Sequence, residues 1–161
     1  LPAEIAGDGA PAVAVQRASR ADQTVAWEIL DEYHHAVDVL VRDGEPEFRA
    51  YLDGPGAMWL AWVGAAVAGC VVMRPLASIG PSACEVKRLY VRPAYRGRRI
   101  AGALMDAVEE HARRSGYDTV YLDSKDDLPT AIRFYRERGY DEVERYNDNP
   151  QATIFMRRLL S

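Results

Sequence analysis

The sequence predicts a mixed α/β domain: a mostly antiparallel, twisted sheet of about seven strands with four helices and a βαβ crossover at its centre. Three observations lead there. Seven short apolar or alternating runs carry strand chemistry, and four stretches carry helical spacing, three of them with proline or glycine at an end. One of those helices lies between two strands in a continuous strand-turn-helix-strand run over residues 84–125. At 161 residues the chain has the length of one domain. A domain of that size buries roughly 68–70% of its unfolded surface, so no disulfide or metal is needed to hold its core.

The elements follow in order. Residues 1–11, rich in alanine, glycine and proline, read as a flexible N-terminal tail ahead of a single domain over 12–161. "VAVQRAS" (13–19) alternates as a first strand. From Asp22, a candidate N-cap, apolar residues recur at Ala26, Ile29, Leu30, Tyr33, Val37 and Leu40, which is helical spacing. "EPEFRAYLD" (45–53) is a short second helix with Pro46 in its first turn and Gly54 after its end. "MWLAWV" (58–63) and "AAVAGCVVMRPL" (65–76) pair about Gly64, and their continuous apolar character predicts central strands covered on both faces. "CEVKRLYV" (84–91) is the fourth strand. A helix from about Arg98 to Ser115 has an apolar stripe of Ile100, Leu104, Ala107 and Val108, and stops at Gly116. "TVYLDSK" (119–125), the helix "PTAIRFYRER" (129–138), and final strands in "DEVERY" and "ATIFMRRL" complete the order.

Composition excludes several classes. A net charge of −4 argues against a dedicated nucleic-acid binder and suits a cationic substrate. No run of 18 apolar residues predicts a membrane span, and the start lacks the basic and apolar regions of a secretory signal, so the expected location is cytoplasmic. Cys70 and Cys84 are too few for a disulfide framework and read as partly buried thiols. The three histidines have no metal-ligand spacing, and His34 and His35 read as a solvated helix face.

Chemistry concentrates in "EVKRLYVRPAYRGRRIAGALM" (85–105). Residues 87–99 hold six basic side chains (Lys87, Arg88, Arg92, Arg96, Arg98, Arg99) and no acidic one. A helix N-terminus already presents free N–H groups and the positive end of its dipole. Arginines crowded there point either to open solvent or to an anion, and a phosphorylated ligand is the favoured reading. The nucleotide motifs G-x-x-x-x-G-K-[ST] and G-x-G-x-x-G are absent, as is the G-x-S-x-G nucleophile elbow.

This stretch resembles the acyl-CoA-binding segment of the GNAT superfamily of N-acetyltransferases. The family turn R/Q-x-x-G-x-G/A is matched by Arg96-Gly97-Arg98-Arg99-Ile100-Ala101, with Arg99 where the family has a glycine. The family helix N-x-x-A-x-x-x-Y-x-x-x-G-F/Y is matched by Ala131, Tyr135, Gly139 and Tyr140, with Leu128 in place of asparagine. Together with the element order, the resemblance covers about residues 13–160.

The resemblance implies an acetyl-CoA-dependent acyltransferase without a metal, acting on an amine acceptor by direct attack. The acceptor classes left open are a polyamine, an antibiotic, an amino acid or a protein N-terminus. The backbone across Arg96, Gly97, Arg98, Arg99, Ile100, Ala101 and Gly102 would cradle the pyrophosphate. Arg99 would keep helical geometry and reach a phosphate. Leu89, Tyr90 and Val91 would line the acyl arm on a bulged, splayed strand, with the N–H of Leu89 aimed at the thioester carbonyl. Glu85 matches a catalytic glutamate. With period two it shares Leu89's face, a bulge aside, and its structural alternative is an ion pair with Lys87. Tyr135 matches the tyrosine that protonates the leaving thiolate. Tyr33 and Tyr146 are candidates to line the acceptor cleft. Cys84, on the opposite strand face from Glu85, is not read as a nucleophile. The competing reading is a degenerate acyl-CoA-binding sensor, kept open by Arg99 and Leu128. An exposed last strand would let two copies pair as a homodimer.

Overall fold

Residues 3–5 and 12–161 are described by a computed structural model. All seven expected strands and four helices are present: β2 (Val13–Arg17), α1 (Gln23–Ala36), α2 (Glu45–Asp53), β3 (Ala57–Val63), β4 (Ala66–Pro75), β5 (Ala83–Val91), α3 (Ile100–Arg114), β6 (Thr119–Ser124), α4 (Pro129–Glu137), β7 (Asp141–Val143) and β8 (Ile154–Leu159). An eighth strand, β1 (Ala3–Ile5), pairs antiparallel with β2 at the sheet edge. The remainder of the stretch expected as a tail, residues 1–2 and 6–11, lies outside the described residues.

The sheet runs β1-β2-β3-β4-β5-β6-β8-β7, and its single parallel pair, β5 with β6, is the one joined by α3. A parallel neighbour requires a crossover, so the helical pattern between these two strands dictates the βαβ unit. β3 and β4 occupy the middle and are covered on both faces, which explains their continuous apolar runs. On one face Val71, Met73 and Val86 pack under Ile100, Leu104, Met105 and Val108 of α3. On the other, Met58, Leu60, Cys70 and Val72 pack under Ile29 and Leu30 of α1 and Tyr51 of α2. Both cysteines are buried, and desolvation pushes each thiol up to about 12, so neither supplies a thiolate near neutral pH.

Three expectations change. His34 does not face solvent: it is 1% exposed, and its Nε2–H donates to Asp43 Oδ2 at 3.0 Å, while His35 is exposed. The last strand is interior, between β6 and β7, so edge pairing through it cannot support a dimer. Helix α3 begins at Ile100 rather than Arg98, because Arg99 takes left-handed geometry (φ 61°, ψ 24°) and cannot be a helical residue. Among the described residues no helix is long and apolar enough to cross a membrane.

Candidate active site

Strands β5 and β6 pair only from Ala83↔Thr119 to Glu85↔Tyr121. Beyond Glu85 the two strands part, β6 stays with β8 alone, and the sheet opens as a wedge. A bulge sits on β5 where the wedge widens. Lys87 opposes Val72 and Tyr90 opposes Cys70, so Arg88 and Leu89 share one partner residue, Val71. Arg88 adopts φ +59° to make the extra step. A Cβ at Gly69, across the ladder, would lie 2.6 Å from Tyr90 O, so the bulged backbone approaches as closely as it does only because residue 69 is glycine.

The bulge also corrects the face assignment of Glu85. Period two fails across the extra residue. Glu85, Lys87 and Tyr90 register with Arg74, Val72 and Cys70, on the face covered by α1 and α2. Leu89 and Val91 pack with the α3 cluster on the opposite face. The Tyr90 side chain is engaged by α1: its hydroxyl donates to Glu32 Oε2 at 2.7 Å, and its ring meets Tyr33 edge-on at 5.8 Å.

Past β5 the chain turns through Arg92–Arg99 into α3. Gly97 sits at φ +83°, where only glycine is unstrained, followed by the left-handed Arg99. Among the described residues the backbone N–H groups from Gly97 to Gly102 make no hydrogen bond, and Ala103 is the first to find a helical carbonyl, that of Arg99, at 3.2 Å. Six consecutive unbonded donors thus lead into the positive end of a fifteen-residue helix, the kind of place that attracts anions. The three arginines of the turn divide the work. Arg96 Nε donates to Val91 O, Arg98 stacks over Tyr95 at 5.5 Å, and Arg99 is exposed with its guanidinium unengaged by the described residues. Ile100 is buried and anchors the first turn of the helix.

On the α1/α2 side the wedge has a polar floor. Glu85 is fully buried, and its carboxylate accepts from Arg74 Nε at 2.8 Å, Tyr146 hydroxyl at 2.7 Å and Asn147 Nδ2 at 3.1 Å. Asn147 also donates to Asp123 Oδ2 at 2.7 Å, which joins the two carboxylates across the gap. Tyr146 packs edge-on against Tyr121 and Phe155, and burial beside the Glu85 charge pushes its phenol far above the usual range. Beside this floor, Asp43 from the α1–α2 loop accepts from Arg88 Nε at 3.0 Å, Tyr51 hydroxyl at 2.8 Å and His34. Arg88 in turn lies over the Tyr33 ring at 5.7 Å.

Tyr135 comes to the wedge from α4. Its ring packs on Phe134 and Tyr140, and its hydroxyl makes no hydrogen bond among the described residues. Burial raises its phenol above the ordinary value, and the nearby Asp123 charge raises it further, so it carries its proton throughout the neutral range. Leu128, where the resemblance expects asparagine, leaves the start of α4 without a side-chain cap.

The structure thus gathers Glu85, Tyr33, Tyr135 and Tyr146 around the wedge, with Leu89–Val91 along its edge and Arg96–Gly102 at its end. Sequence reading missed Asp43, Asp123, Arg74 and Asn147. Arg74, Asp123 and Asn147 meet Glu85 or one another only by tertiary contact, and Asp43 is brought beside them by the α1–α2 loop. Among the described residues no cluster of three metal-ligating side chains occurs.

The family model of the acetyltransferase (GNAT) family matches residues 18–140. The chain is similar to an uncharacterized N-acetyltransferase of Schizosaccharomyces pombe, 37% identical over 91 residues, covering 56% of this chain and 55% of that protein. The chain covers about a third to about half of the length of the curated relatives it matches. In fold it is similar to the GNAT domain of S. lividans PAT (TM-score 0.78, 15% identity, 99% of this chain and 97% of that one). It is similar as well to N-acetylglutamate synthase from Neisseria gonorrhoeae complexed with coenzyme A and N-acetyl-glutamate (TM-score 0.75, 14% identity, 92% of this chain and 35% of that one). The chain belongs to the acetyltransferase (GNAT) family.

Proposed function

We propose that the protein is an N-acetyltransferase that moves an acetyl group from acetyl-CoA to a primary amine by direct attack in a ternary complex. One observation carries this reading: the bulged strand edge Arg88–Val91 runs along an open wedge and leads directly into six unengaged amides at a helix N-terminus. That combination suits a ligand with an elongated arm and a pyrophosphate. The gonococcal neighbour, which holds coenzyme A together with an acetylated product, supports the choice.

Acetyl-CoA supplies the activated thioester; the remaining work falls to the chain. The amides of Gly97 to Gly102 receive the pyrophosphate, and Arg99 reaches a phosphate with a charge-assisted bond. The Leu89 N–H, on the bulge, stabilises the charge that develops on the carbonyl oxygen, a contribution of roughly 3–4 kcal/mol in comparable sites. An alkylamine with a pKa of about 10 arrives protonated, and Glu85 accepts its proton through the polar floor. Tyr135, held protonated by its surroundings, gives a proton to the departing sulfur. Tyr33 and Tyr146 wall the acceptor side, where the α1–α2 loop and the 146–152 segment meet the sheet.

Calorimetric titration with coenzyme A and with its 3′-dephospho form tests the cofactor half of this reading. Saturable binding of both, weakened by Gly97→Val, is the expected result. Absence of binding by either compound contradicts it.

A further inference from the structure

The chain contains 18 arginines and only two lysines, Lys87 and Lys125. Arginine is used at every other buried or half-buried ion pair with a basic partner near the wedge: Arg74 with Glu85, Arg88 with Asp43, Arg92 with Glu32. Lys87 is the exception, and it occupies the most enclosed of these places, with its side chain 10% exposed. It lies on β5 two residues before Leu89, on the acceptor face, where the strands have just parted. Its Nζ is 3.8 Å from Glu85 Oε1 on one side of the gap and 3.6 Å from Asp123 Oδ2 on the other. Both separations exceed hydrogen-bond length, and the Lys87 ammonium makes no hydrogen bond among the described residues.

A guanidinium at this position could fork between the two carboxylates, but it could never surrender a proton. A lysine can, and the Glu85 and Asp123 carboxylates flank its Nζ. On this basis, and resting on the acetyl-CoA reading above, we propose that Lys87 is itself an acetylation site: the protein acetylates Lys87 from its own bound acetyl thioester when no external amine occupies the cleft.

Nζ gives one proton to Glu85 or Asp123, and its lone pair forms a bond to the acetyl carbonyl carbon. The C–S bond breaks, and the thiolate takes a proton from Tyr135. The second Nζ proton passes to solvent and Tyr135 is reprotonated from water. The net change is lysine ammonium plus acetyl thioester giving acetyl-lysine, free thiol and one proton. The amide product is neutral and too stable to pass the acetyl group on. Asp123 thereby loses its nearest cation, Glu85 keeps only Arg74, and the acceptor end of the wedge is filled. Self-acetylation therefore stops turnover rather than relaying the group. An acceptor carboxylate as the partner of Lys87 is disfavoured, because it would bring a third negative charge beside Glu85 and Asp123.

The test is peptide mass spectrometry of the purified protein incubated with acetyl-CoA alone, with Lys125 as the internal reference for unassisted chemical acetylation. Lys87 is expected to be labelled at least tenfold faster than Lys125. Tyr135→Phe should slow the Lys87 label by at least tenfold without changing the Lys125 label, and an amine that supports thiol release should protect Lys87. An unmodified Lys87, or equal rates at the two lysines, overturns the proposal. Thiol release with external amines is measured in parallel. Release with Lys87 unmodified refutes self-acetylation alone, whereas no coenzyme A binding, no release and no label refute the acetyl-CoA reading with it.

Discussion

Replacing Arg99 by glycine separates what this residue costs the fold from what it gives the ligand. Arg99 is at φ 61°, ψ 24° immediately before α3, with its side chain exposed. A side chain in left-handed geometry costs roughly 1–2 kcal/mol. Glycine removes that strain but returns roughly 0.5–1 kcal/mol through the greater freedom of the unfolded chain. The net expectation for Arg99→Gly is therefore a stabilisation of about 0.5–1 kcal/mol. For a chain of this size that is a rise in Tm of about 1–4 °C. Coenzyme A affinity should move the other way, by about 1 kcal/mol or fivefold, through loss of a charge-assisted phosphate contact, and the loss should shrink as salt is raised. Arg99→Lys should retain both the strain and most of the affinity. Thermal and urea unfolding give the first quantity, and calorimetric titration at two salt concentrations gives the second. An unchanged or lowered Tm in Arg99→Gly refutes the strain argument, and unchanged affinity removes Arg99 from the phosphate site.

Other outcomes follow from the same geometry. Tyr135→Phe should lower kcat by about 100-fold with acetyl-CoA binding within about twofold, the range for loss of a positioned acid; equal loss of binding would make Tyr135 a packing residue instead. Asp43→Asn leaves Arg88 buried without its counter-ion and should destabilise by about 3–5 kcal/mol in urea titrations. Acid should weaken the native protein at the same cluster. Burial works against ionisation of Asp43, but Arg88 together with Tyr51 and His34 outweighs it and holds the carboxyl below its ordinary 3.8. Burial, outweighing Asp43, holds His34 below 6.5. Both contributions are present above the ordinary values and disappear as pH falls through the depressed ones, so stability should decline on acidification below pH 6.5, and Asp43→Asn should flatten the part below 3.8. Gly69→Ala should cost about 1–3 kcal/mol or displace the bulge, since its Cβ would meet Tyr90 O at 2.6 Å.

The parts of the molecule that the sequence made legible are those whose logic is local. The turn into α3 could be read because a glycine and the helix start follow closely on the strand before them. The central strands could be read because burial on both faces leaves a continuous apolar run. Arg99 shows where local reading failed in detail. Helical spacing suggested geometry continuous with α3, whereas the chain must enter a left-handed turn to aim its amides, which is why a glycine suits the position. The face of Glu85 was misread for a related reason: one extra residue at Arg88 reverses the alternation, and nothing in "EVKRLYV" marks it. His34 was misread because its partner, Asp43, lies nine residues on in a loop that folds back beneath α1. Asp123 and Asn147 come from separate segments that only the assembled sheet brings to Glu85.

The central claim is transfer of an acetyl group to an amine, and release of coenzyme A thiol by the wild-type protein, followed across a diverse amine panel, tests it most directly. The account predicts that at least one amine accelerates release over the amine-free rate, with acetylated amine formed in equal amount and the acceleration largely lost in Tyr135→Phe. Saturable acetyl-CoA binding with no acceleration by any amine would contradict it and leave a protein that holds the cofactor without transferring the group.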